Sequence, residues 1–344
     1  MNKDRDLTSM YMEELTEYVK EKGWPAFRAK QLFQWLHQKH VTNSDNMTNL
    51  SKPMREALKE DMCQVKYVTH QTSKLDGTSK FLVEMHDGQM IETVFMKYHH
   101  GNSICISSQA GCAMGCKFCA STIGGCIRNL TAGEMLCQIY TVMNILDEDI
   151  SNVVVMGTGE PLQNYDELIR FIKLITDSEG YNLSIRNITV SSCGIVPNIK
   201  RLADEGLGIT FALSLHAPTD EKRKTIMPIA ERYSIEETLK ATDYYFQKTG
   251  RRITVEYSLM GGINDSKTDA EQLSELLSGR GYHVNLIPVN SVDERDFVKS
   301  SNDVIEEFKK ILEKNRINVT IRRGMGRDID AACGQLRRKY GTAN

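Results

Sequence analysis

Three cysteines lie close together, at Cys112, Cys116 and Cys119, with the spacing C-x3-C-x2-C. Glycines at positions 111 and 115 allow the backbone to wrap tightly around them. Thiolates are the ligands that soft metals prefer, and cysteines clustered in one short stretch are not a typical disulfide pattern. The stretch therefore predicts a loop folded around a soft metal centre.

Two kinds of metal centre compete for this spacing. A structural zinc ion requires a fourth Cys or His, for which Cys105 and Cys126 are candidates, each seven residues outside the triplet. A 4Fe-4S cluster held by three thiolates matches the spacing better and leaves one iron open for a ligand that is not protein. With the aromatic Phe118 before its last cysteine, the pattern resembles the radical S-adenosylmethionine (SAM) superfamily. That resemblance implies that the amino and carboxylate groups of SAM bind the open iron.

Two further residues have side chains suited to chemistry. Cys333, in the segment DIDAACGQL, is flanked by small residues that would leave its sulfur accessible. The alternative is that it fills a small space in the core, as a lone cysteine often does. Glu92 lies among apolar neighbours in a predicted strand, and its pattern favours a solvent-facing position.

Hydrophobic periodicity predicts the elements that must position these residues. After the cysteine loop, short β-branched strands alternate with helical stretches, which is typical of a parallel sheet or barrel. Their number favours an α/β fold with an incomplete (β/α) TIM-like barrel, as the radical SAM resemblance also implies, over a closed eight-stranded barrel. The predicted strands span 102–107, 152–156, 187–191, 208–213, 252–259, 284–288 and 318–321, and helices are expected to begin at Thr131, Tyr165, Pro197, Ile235, Ser266 and Asn302.

The part of the chain before the cysteine loop has two patterns. Residues 1–60 carry apolar side chains at helical spacing and predict three or four short helices. Their basic residues leave two interpretations open, a scaffold cap and an accessory domain that grips RNA. From Lys80 to Tyr98 the period is two and Asp87-Gly88 interrupts it, which predicts a β-hairpin.

Polar segments follow the predicted barrel strands, where such barrels place their chemistry. Glu160 could accept hydrogen bonds from a ligand ammonium group. His216, taken alone, is more typical of a structural histidine whose hydrogen bonds are satisfied. The segments are Gly157–Pro161, Ser191–Gly194, Ser214–His216 and Asn290.

The composition excludes some classes of protein. The chain has 344 residues and a net charge of −2, so it has no overall basic signature for nucleic acid, and a polyanion would have to bind local basic patches. No signal peptide and no bilayer-spanning apolar run is evident, so a cytoplasmic protein with no membrane partner is expected. Clustered cysteines in that reducing compartment indicate metal and redox use. The candidate patches are Arg251-Arg252, Arg322-Arg323 with Arg327, and Arg337-Arg338-Lys339.

Six motifs in register narrow the resemblance to one family. The chain is similar to the RlmN family, which methylates C2 of adenine in 23S rRNA and tRNA and whose close relatives, the Cfr enzymes, methylate C8. That family carries an N-terminal helical RNA-binding domain, which favours the RNA-gripping interpretation of residues 1–60. Cys193 departs from the family, which usually has Ser or Thr there, and we interpret this as a variation in packing. The motifs, between about residue 80 and Leu336, are SSQAGC, CKFC, MGTGEP, SLHAP, NLIPVN and DIDAACGQL.

The resemblance implies a role for each residue of the candidate site. Three cysteines bind the 4Fe-4S cluster, seven residues contact SAM, and three residues act on the substrate. The implied cluster ligands are Cys112, Cys116 and Cys119, and the implied SAM contacts are Gly159, Glu160, Ser191, Ser214, Leu215, His216 and Asn290. The implied catalytic residues are Cys333, which is transiently methylated, Cys105, which resolves the intermediate, and Glu92, a proton acceptor.

The implied reaction uses two SAM molecules. The first methylates the Cys333 thiolate, and the second, bound to the open iron and reduced by one electron, yields a 5′-deoxyadenosyl radical that takes hydrogen from the S-methyl group. The resulting radical adds to C2. Glu92 or Cys105 then takes the C2 proton, and the Cys105 thiolate attacks the Cys333 sulfur, leaving a disulfide. The implied partners are 23S rRNA, tRNA and an electron donor such as flavodoxin or ferredoxin.

We therefore expect four regions: a helical RNA-binding accessory domain over 1–60, a linker and β-hairpin over 61–97, a radical SAM core barrel over 98–327, and a C-terminal segment over 328–344 carrying the methylated cysteine. The expected product is 2-methyladenosine in the peptidyl transferase region of 23S rRNA and 3′ of the anticodon in some tRNAs. The residues that occupy the motifs around Ala110, Glu160 and Asn290 favour the C2 branch over the C8 branch. Two other classes stay open: a zinc RNA-binding module without catalysis, and a thiol–disulfide regulator using Cys105 and Cys333.

Overall fold

The computed structural model describes residues 6–99, 101–289, 296–329, 336–337 and 340. Its strands are β1 Val65–Thr72, β2 Ser79–Met85, β3 Met90–Met96, β4 Ser103–Ile106, β5 Gln109–Gly111, β6 Cys126–Asn129, β7 Asn152–Val155, β8 Ile188–Ser192, β9 Thr210–Ser214, β10 Thr254–Leu259, β11 His283–Pro288 and β12 Asn318–Ile321. Its α-helices are α1 Met12–Glu21, α2 Phe27–His37, α3 Lys52–Leu58, α4 Ala132–Leu146, α5 Tyr165–Ile175, α6 Val196–Asp204, α7 Asp220–Ile226, α8 Ile235–Thr249, α9 Lys267–Leu277 and α10 Asn302–Lys314.

Ten of these strands form one continuous sheet. Its order is β1-β2-β3-β4-β7-β8-β9-β10-β11-β12. From β4 to β12 every neighbouring pair is parallel. The sheet ends at β1 and β12, so the predicted incomplete α/β barrel is confirmed.

Alternation along the parallel strands separates two faces. On β7 and β8, Val153, Val155 and Val190 are buried in the core. Val154, between the two valines of β7, and Ser191, next to Val190 on β8, are half-buried. Successive side chains of a strand point to opposite faces, so one face packs on helices and the other lines the barrel. The helices begin where their caps predict, as at Thr131, whose side chain accepts from the Glu134 amide in a capping box.

The N-terminal region is helical, as predicted, and shares the barrel's core. Leu15 on α1, with Leu32 and Phe33 on α2, is fully buried in the same hydrophobic cluster as the barrel strands. His37, at the end of α2, lies 3.1 Å through Nδ1 from the Tyr140 hydroxyl on α4. The helices are therefore packed on the barrel through α4.

The predicted hairpin is confirmed as β2 and β3, and four elements were not predicted: β1, the short strands β5 and β6 on either side of the cysteine loop, and α7. The strand β1 pairs with β2 in an antiparallel register, so the hairpin belongs to a three-stranded meander that continues through β3 into β4. The helix α7 begins shortly after the end of the barrel strand β9. Within the described part of the chain, no helix has the length and apolar character needed to cross a bilayer.

Candidate active site

The cysteine loop leaves the barrel directly after β4 and lies between β5 and β6. The amide of Cys112 donates to the Gly125 carbonyl at 2.9 Å, and that of Cys119 donates to the Cys116 carbonyl at 3.1 Å. Gly111 has a φ of +86°, and a Cβ there would lie 2.1 Å from the Gly125 carbonyl oxygen. This position therefore requires glycine for the loop to close.

The loop holds its thiols away from water. Cys112 and Cys116 are buried and Cys119 is half-buried. Burial raises the pKa of the Cys112 thiol to about 12, and burial together with the neighbouring thiols raises the pKa of Cys116 still further. These thiols therefore lose their protons only beside a compensating positive charge, such as a metal ion. The proton must leave for metal binding, because thiolates rather than thiols are metal ligands.

The donor set fits an iron–sulfur cluster better than a zinc ion. Among the described residues, no three Cys, His, Asp or Glu side chains converge closely enough to bind one metal ion. The loop supplies three thiols, the number that holds a 4Fe-4S cluster with one iron left open, whereas a structural zinc ion needs four protein ligands. Apolar side chains surround Cys116, among them Ile226, Met227 and Met260.

The polar segment after β7 packs on the start of this loop. Thr158 accepts through its carbonyl from the amides of Ser108 and Gln109, at 2.9 and 3.1 Å. Gly159 has a φ of +115°, and a Cβ on it would lie 2.7 Å from the Gln109 Cβ. Glycine is required there because the two segments approach so closely.

Glu160 is a buried carboxylate at the carboxyl end of β7. Its Oε2 accepts from the Cys193 amide at 2.8 Å and its Oε1 from the Leu162 amide at 3.1 Å. Burial raises its pKa, and these hydrogen bonds oppose that rise. The side chains of Ser192 and Cys193 also hydrogen-bond to it, so a ligand ammonium group would take the place of one of these donors.

His216 is buried next to the cysteine loop in a left-handed backbone conformation, with φ +58°. Its Nδ1 accepts from the Ser258 amide at 2.9 Å, which leaves the proton on Nε2. Burial and the charge of Arg223 lower its pKa to about 3. The Phe118 ring of the loop packs edge-on against it, with centroids 4.9 Å apart. A neutral imidazole with a fixed Nε2 donor therefore lies against the loop.

The ends of β8 and β9 bring two more predicted residues together. The hydroxyls of Ser191 and Ser214 lie 3.1 Å apart, and both side chains are half-buried on the barrel-lining face. Leu215 is fully buried in the core; its amide donates to the Glu256 carbonyl and its carbonyl accepts from Arg223. Cys193 is buried beside Cys116 in the same apolar cluster, which agrees with a packing role.

Glu92 is buried, so its predicted solvent-facing position is wrong. Its Oε2 lies 3.0 Å from Nζ of Lys80, whose side chain is fully buried, and its Oε1 accepts from the Arg337 amide at 2.7 Å. The prediction failed because a charged partner on β2 allows a carboxylate to lie on the inner face of the sheet.

Cys105 lies on the same face as this ion pair. It is buried on β4 and pairs in register with Val94, two residues along β3 from Glu92. Residues i and i+2 of a strand share a face, so Glu92 and Cys105 are on neighbouring strands and point to the same side.

The C-terminal segment is attached on this side of the molecule. Asp328 accepts from the Ser73 hydroxyl at 2.5 Å and from the Lys74 amide at 2.8 Å, in the turn between β1 and β2. Beyond it, Arg337 donates to Glu92. Cys333 and Asn290 lie outside the described residues, as do Arg338 and Lys339, and their assignments stay predictions.

Two residues of this region were missed from the sequence. Lys80 could have been found, because the Asp87-Gly88 turn sets the hairpin register and places Lys80 diagonally opposite Glu92. Arg223 is fully buried on α7 and has no such local signal.

Two family models match the chain. The Ribosomal RNA large subunit methyltransferase N-terminal domain matches residues 5–63, and the Radical SAM superfamily matches residues 106–277. The second match contains the cysteine loop, Glu160 and His216.

Relatives of high identity cover almost the whole chain. A probable dual-specificity RNA methyltransferase RlmN from Lachnospira eligens is 57% identical, covering 97% of this chain and 96% of the relative. The corresponding protein from Lachnoclostridium phytofermentans is 54% identical, covering 97% and 95%. Among solved structures, a radical SAM methyltransferase from Sphaerobacter thermophilus is 41% identical with a TM-score of 0.92, covering 96% of this chain and 98% of that one.

Proposed function

The chain belongs to the RlmN family of radical SAM RNA methyltransferases, and on this basis we propose that it methylates C2 of adenosine in both 23S rRNA and tRNA. The rRNA target is in the peptidyl transferase region, and the tRNA target is the adenosine 3′ of the anticodon. Its relatives are probable dual-specificity RNA methyltransferases, which supports the pair of substrates.

The target atom determines the kind of chemistry. C2 of adenine lies between two ring nitrogens and is electron-poor, so it does not attack the electrophilic methyl group of SAM. A carbon radical can add to such a carbon. When bound, the 4Fe-4S cluster and SAM supply that capacity by one-electron reduction.

The residues that would hold these groups surround the cysteine loop. Cys112, Cys116 and Cys119 would bind the cluster. The seven SAM contacts would come from the ends of successive strands, where Glu160 offers a carboxylate to the SAM ammonium group and His216 offers an Nε2 donor. The seven proposed SAM contacts are Gly159, Glu160, Ser191, Ser214, Leu215, His216 and Asn290.

The substrate chemistry would fall to three residues. Cys333 accepts a methyl group from the first SAM as a thiolate nucleophile. After its carbon has joined C2, the adduct radical returns one electron to the electron carrier and C2 loses its proton. The Cys105 thiolate then attacks the Cys333 sulfur; the bond between that sulfur and the carbon breaks, its electron pair goes to the carbon, which takes a proton and becomes the methyl group, and a Cys105–Cys333 disulfide remains for external reduction. Glu92, or Cys105, takes the C2 proton.

One observation carries this assignment. The Arg337 amide donates to Glu92, which lies one strand away from Cys105 on the same face. Arg337 is four residues beyond Cys333, a span of at most about 14 Å in an extended chain. The chain that carries Cys333 therefore contacts Glu92 at Arg337, which supports the use of Cys333, Cys105 and Glu92 together.

Substrate and electrons would be delivered from outside the barrel. The adenine must leave its stack to reach the strand ends, which favours RNA loops over duplexes. We propose that the helices of residues 1–60 grip RNA, that a carrier such as flavodoxin or ferredoxin supplies electrons, and that the protein works in the cytoplasm.

The test is nucleoside mass spectrometry. A deletion strain carrying this gene should regain 2-methyladenosine in 23S rRNA and in tRNA, and the same gene with Cys333→Ala should restore neither. Restoration of 8-methyladenosine alone would assign the chain to the other branch. In anaerobic, reduced protein, SAM should yield 5′-deoxyadenosine, and colourless protein holding one zinc ion would contradict the proposal.

A further inference from the structure

Arg223, on α7, is a buried cation that the preceding assignments leave unused. Its side chain is fully buried. Its Nη2 donates to the Cys193 carbonyl at 2.6 Å and its Nε to the Leu215 carbonyl at 3.1 Å, so it joins the ends of β8 and β9. Its Nη1 is buried and has no hydrogen-bond partner among the described residues.

The helix that carries Arg223 is docked on the cysteine loop. The Lys117 amide, next to Cys116, donates to the Ile226 carbonyl at the end of α7 at 2.9 Å. Ile226 and Met227 pack in the same apolar cluster as Cys116. A Cβ on Gly115 would lie 3.3 Å from Pro228, just beyond the helix. The guanidinium is therefore held beside the proposed cluster ligands by several independent contacts.

No carboxylate neutralises this charge at close range. Arg223 forms no ion pair with the described residues, and Asp220, at the start of the same helix, is the carboxylate whose charge acts on it from a longer distance. An unpaired buried charge costs several kcal/mol, so such groups normally have a partner. The guanidinium donates to the Cys193 carbonyl, and Cys193 and Cys116 share one apolar cluster with Ile226 of the same helix, so thiols are packed beside it. Its negative partner would come from thiolates bound to a cluster.

We propose that Arg223 is the positioning cation of the cluster: it offsets the negative charge of the thiolate-bound cluster and thereby makes its one-electron reduction easier. The proposal rests on the proposed function, because it requires a cluster on Cys112, Cys116 and Cys119. Net charge and nearby hydrogen-bond donors are among the main factors that set the potentials of iron–sulfur clusters. Reduction adds one negative charge, which a fixed buried cation stabilises.

A purely structural role for Arg223 predicts a different pattern of effects. If the guanidinium only joins the two strand ends, then lysine, which cannot reach both carbonyls in the same geometry, should be as harmful as glutamine. If the charge matters, lysine should largely preserve the reduction potential of the cluster and glutamine should not. The two substitutions therefore separate the electrostatic from the mechanical role.

The experiment measures the potential of the cluster directly. Full-length wild type, Arg223→Gln and Arg223→Lys are reconstituted anaerobically and titrated with dithionite without SAM, so that the SAM carboxylate does not interfere. Electron paramagnetic resonance follows the reduced cluster, and iron is counted. The matched control is Lys224→Gln, which removes the same charge from an exposed position on the same helix, where water and salt screen it.

The expected result is a shift of the reduction equilibrium in Arg223→Gln by at least tenfold towards the oxidised cluster, or about 59 mV for one electron. Arg223→Lys and Lys224→Gln should stay within threefold of wild type. Iron loss in the glutamine variant alone would also support the proposal. If the glutamine variant does not fold, a wild-type potential in Arg223→Lys supports it and a tenfold shift there overturns it.

Three results would overturn the proposal. They are a wild-type potential in Arg223→Gln, an equal shift in both Arg223 variants, and iron loss in both. Failure of the proposed function looks different, because wild type itself would then lack four irons or give no 5′-deoxyadenosine. A normal wild-type cluster with an unshifted glutamine variant contradicts only the role of Arg223.

Discussion

The ion pair between Lys80 and Glu92 is buried, so each charge is stabilised mainly by the other. Lys80→Met should lower the free energy of unfolding by about 3–5 kcal/mol, because it leaves a buried carboxylate without its cation. The measurement is anaerobic urea unfolding. The double variant Lys80→Met/Glu92→Gln should recover part of the loss.

The matched control lies in the same meander, between β1 and β2. Lys66 and Glu84 form an ion pair of 3.3 Å, but the Lys66 side chain is 78% exposed. Lys66→Met should leave the unfolding midpoint within experimental error, because exposed pairs contribute little. Equal losses in the two lysine variants would contradict the importance of burial at Lys80.

Cys105 is expected to resolve the covalent intermediate. Cys105→Ala should therefore accumulate an RNA–protein adduct through Cys333, because no thiolate attacks the Cys333 sulfur. Denaturing gels and mass spectrometry of the joined peptide would detect it. The double variant Cys105→Ala/Cys333→Ala should form no adduct. Free methyladenosine at normal yield from the single variant would refute the role.

At the scale of elements, the contact between α2 and α4 contains a histidine kept neutral by burial. Burial lowers the pKa of His37 to about 3. Above about pH 6.5 both the folded and the unfolded states hold it neutral, and below that pH the unfolded state binds a proton that the folded state does not. Stability should therefore fall as the pH drops from 7.5 to 5.5, by about 1.4 kcal/mol from this group.

The variant His37→Gln does not titrate in this range. Its unfolding free energy should therefore depend on pH less than that of wild type, by about the same 1.4 kcal/mol between pH 7.5 and 5.5. Parallel pH curves for the two proteins would show that His37 is not the responsible group. Urea unfolding at each pH supplies the comparison.

The elements that periodicity predicted are those with a clean division between buried and exposed faces. The barrel strands carry fully buried valines such as Val153, Val190 and Val284. The helix α7 was missed because its sequence, DEKRKTI, is polar, with Ile226 its one apolar residue, and its other buried residue is Arg223. Strand β1 was missed because it is an edge strand, none of whose residues is fully buried.

The candidate site was predicted less evenly than the fold. Motif spacing identified the cysteine loop and the segments at strand ends, because loops at those ends lie together in any such barrel. Side-chain direction was harder, since the inward position of Glu92 depends on Lys80 on a neighbouring strand. Three segments that are distant in the sequence surround Arg223, so no local sequence pattern predicts its environment.

At the scale of the whole molecule, one ten-stranded sheet joins an antiparallel meander to the barrel. The meander holds the C-terminal segment through Asp328, which accepts from Ser73 and from the Lys74 amide. Asp328→Asn should weaken this attachment and slow methylation of Cys333 by at least about tenfold, because misplaced reacting groups lose rate steeply. Timed mass spectrometry of the peptide containing Cys333 would measure it.

The control for that change is Asp303→Asn, which removes the same charge at the exposed start of α10. It should methylate Cys333 at the wild-type rate, and both variants should bind the wild-type amount of iron. Loss of iron in Asp328→Asn would mean that the change disturbs the whole barrel rather than the attachment of the last segment.

The hydrogen bonds of Gly326 and Asp328 to the meander also have a consequence for biosynthesis. Ser73, which donates to Asp328, and Asp76, which accepts from the Gly326 amide, are made early, whereas their partners are made about 250 residues later. Nascent chains fold from the N-terminus, so the barrel and the cysteine loop can form while translation continues. Glu92 therefore gains its contact with the Arg337 amide only after the barrel strands and the cysteine loop have been made, so this side of the site is completed last.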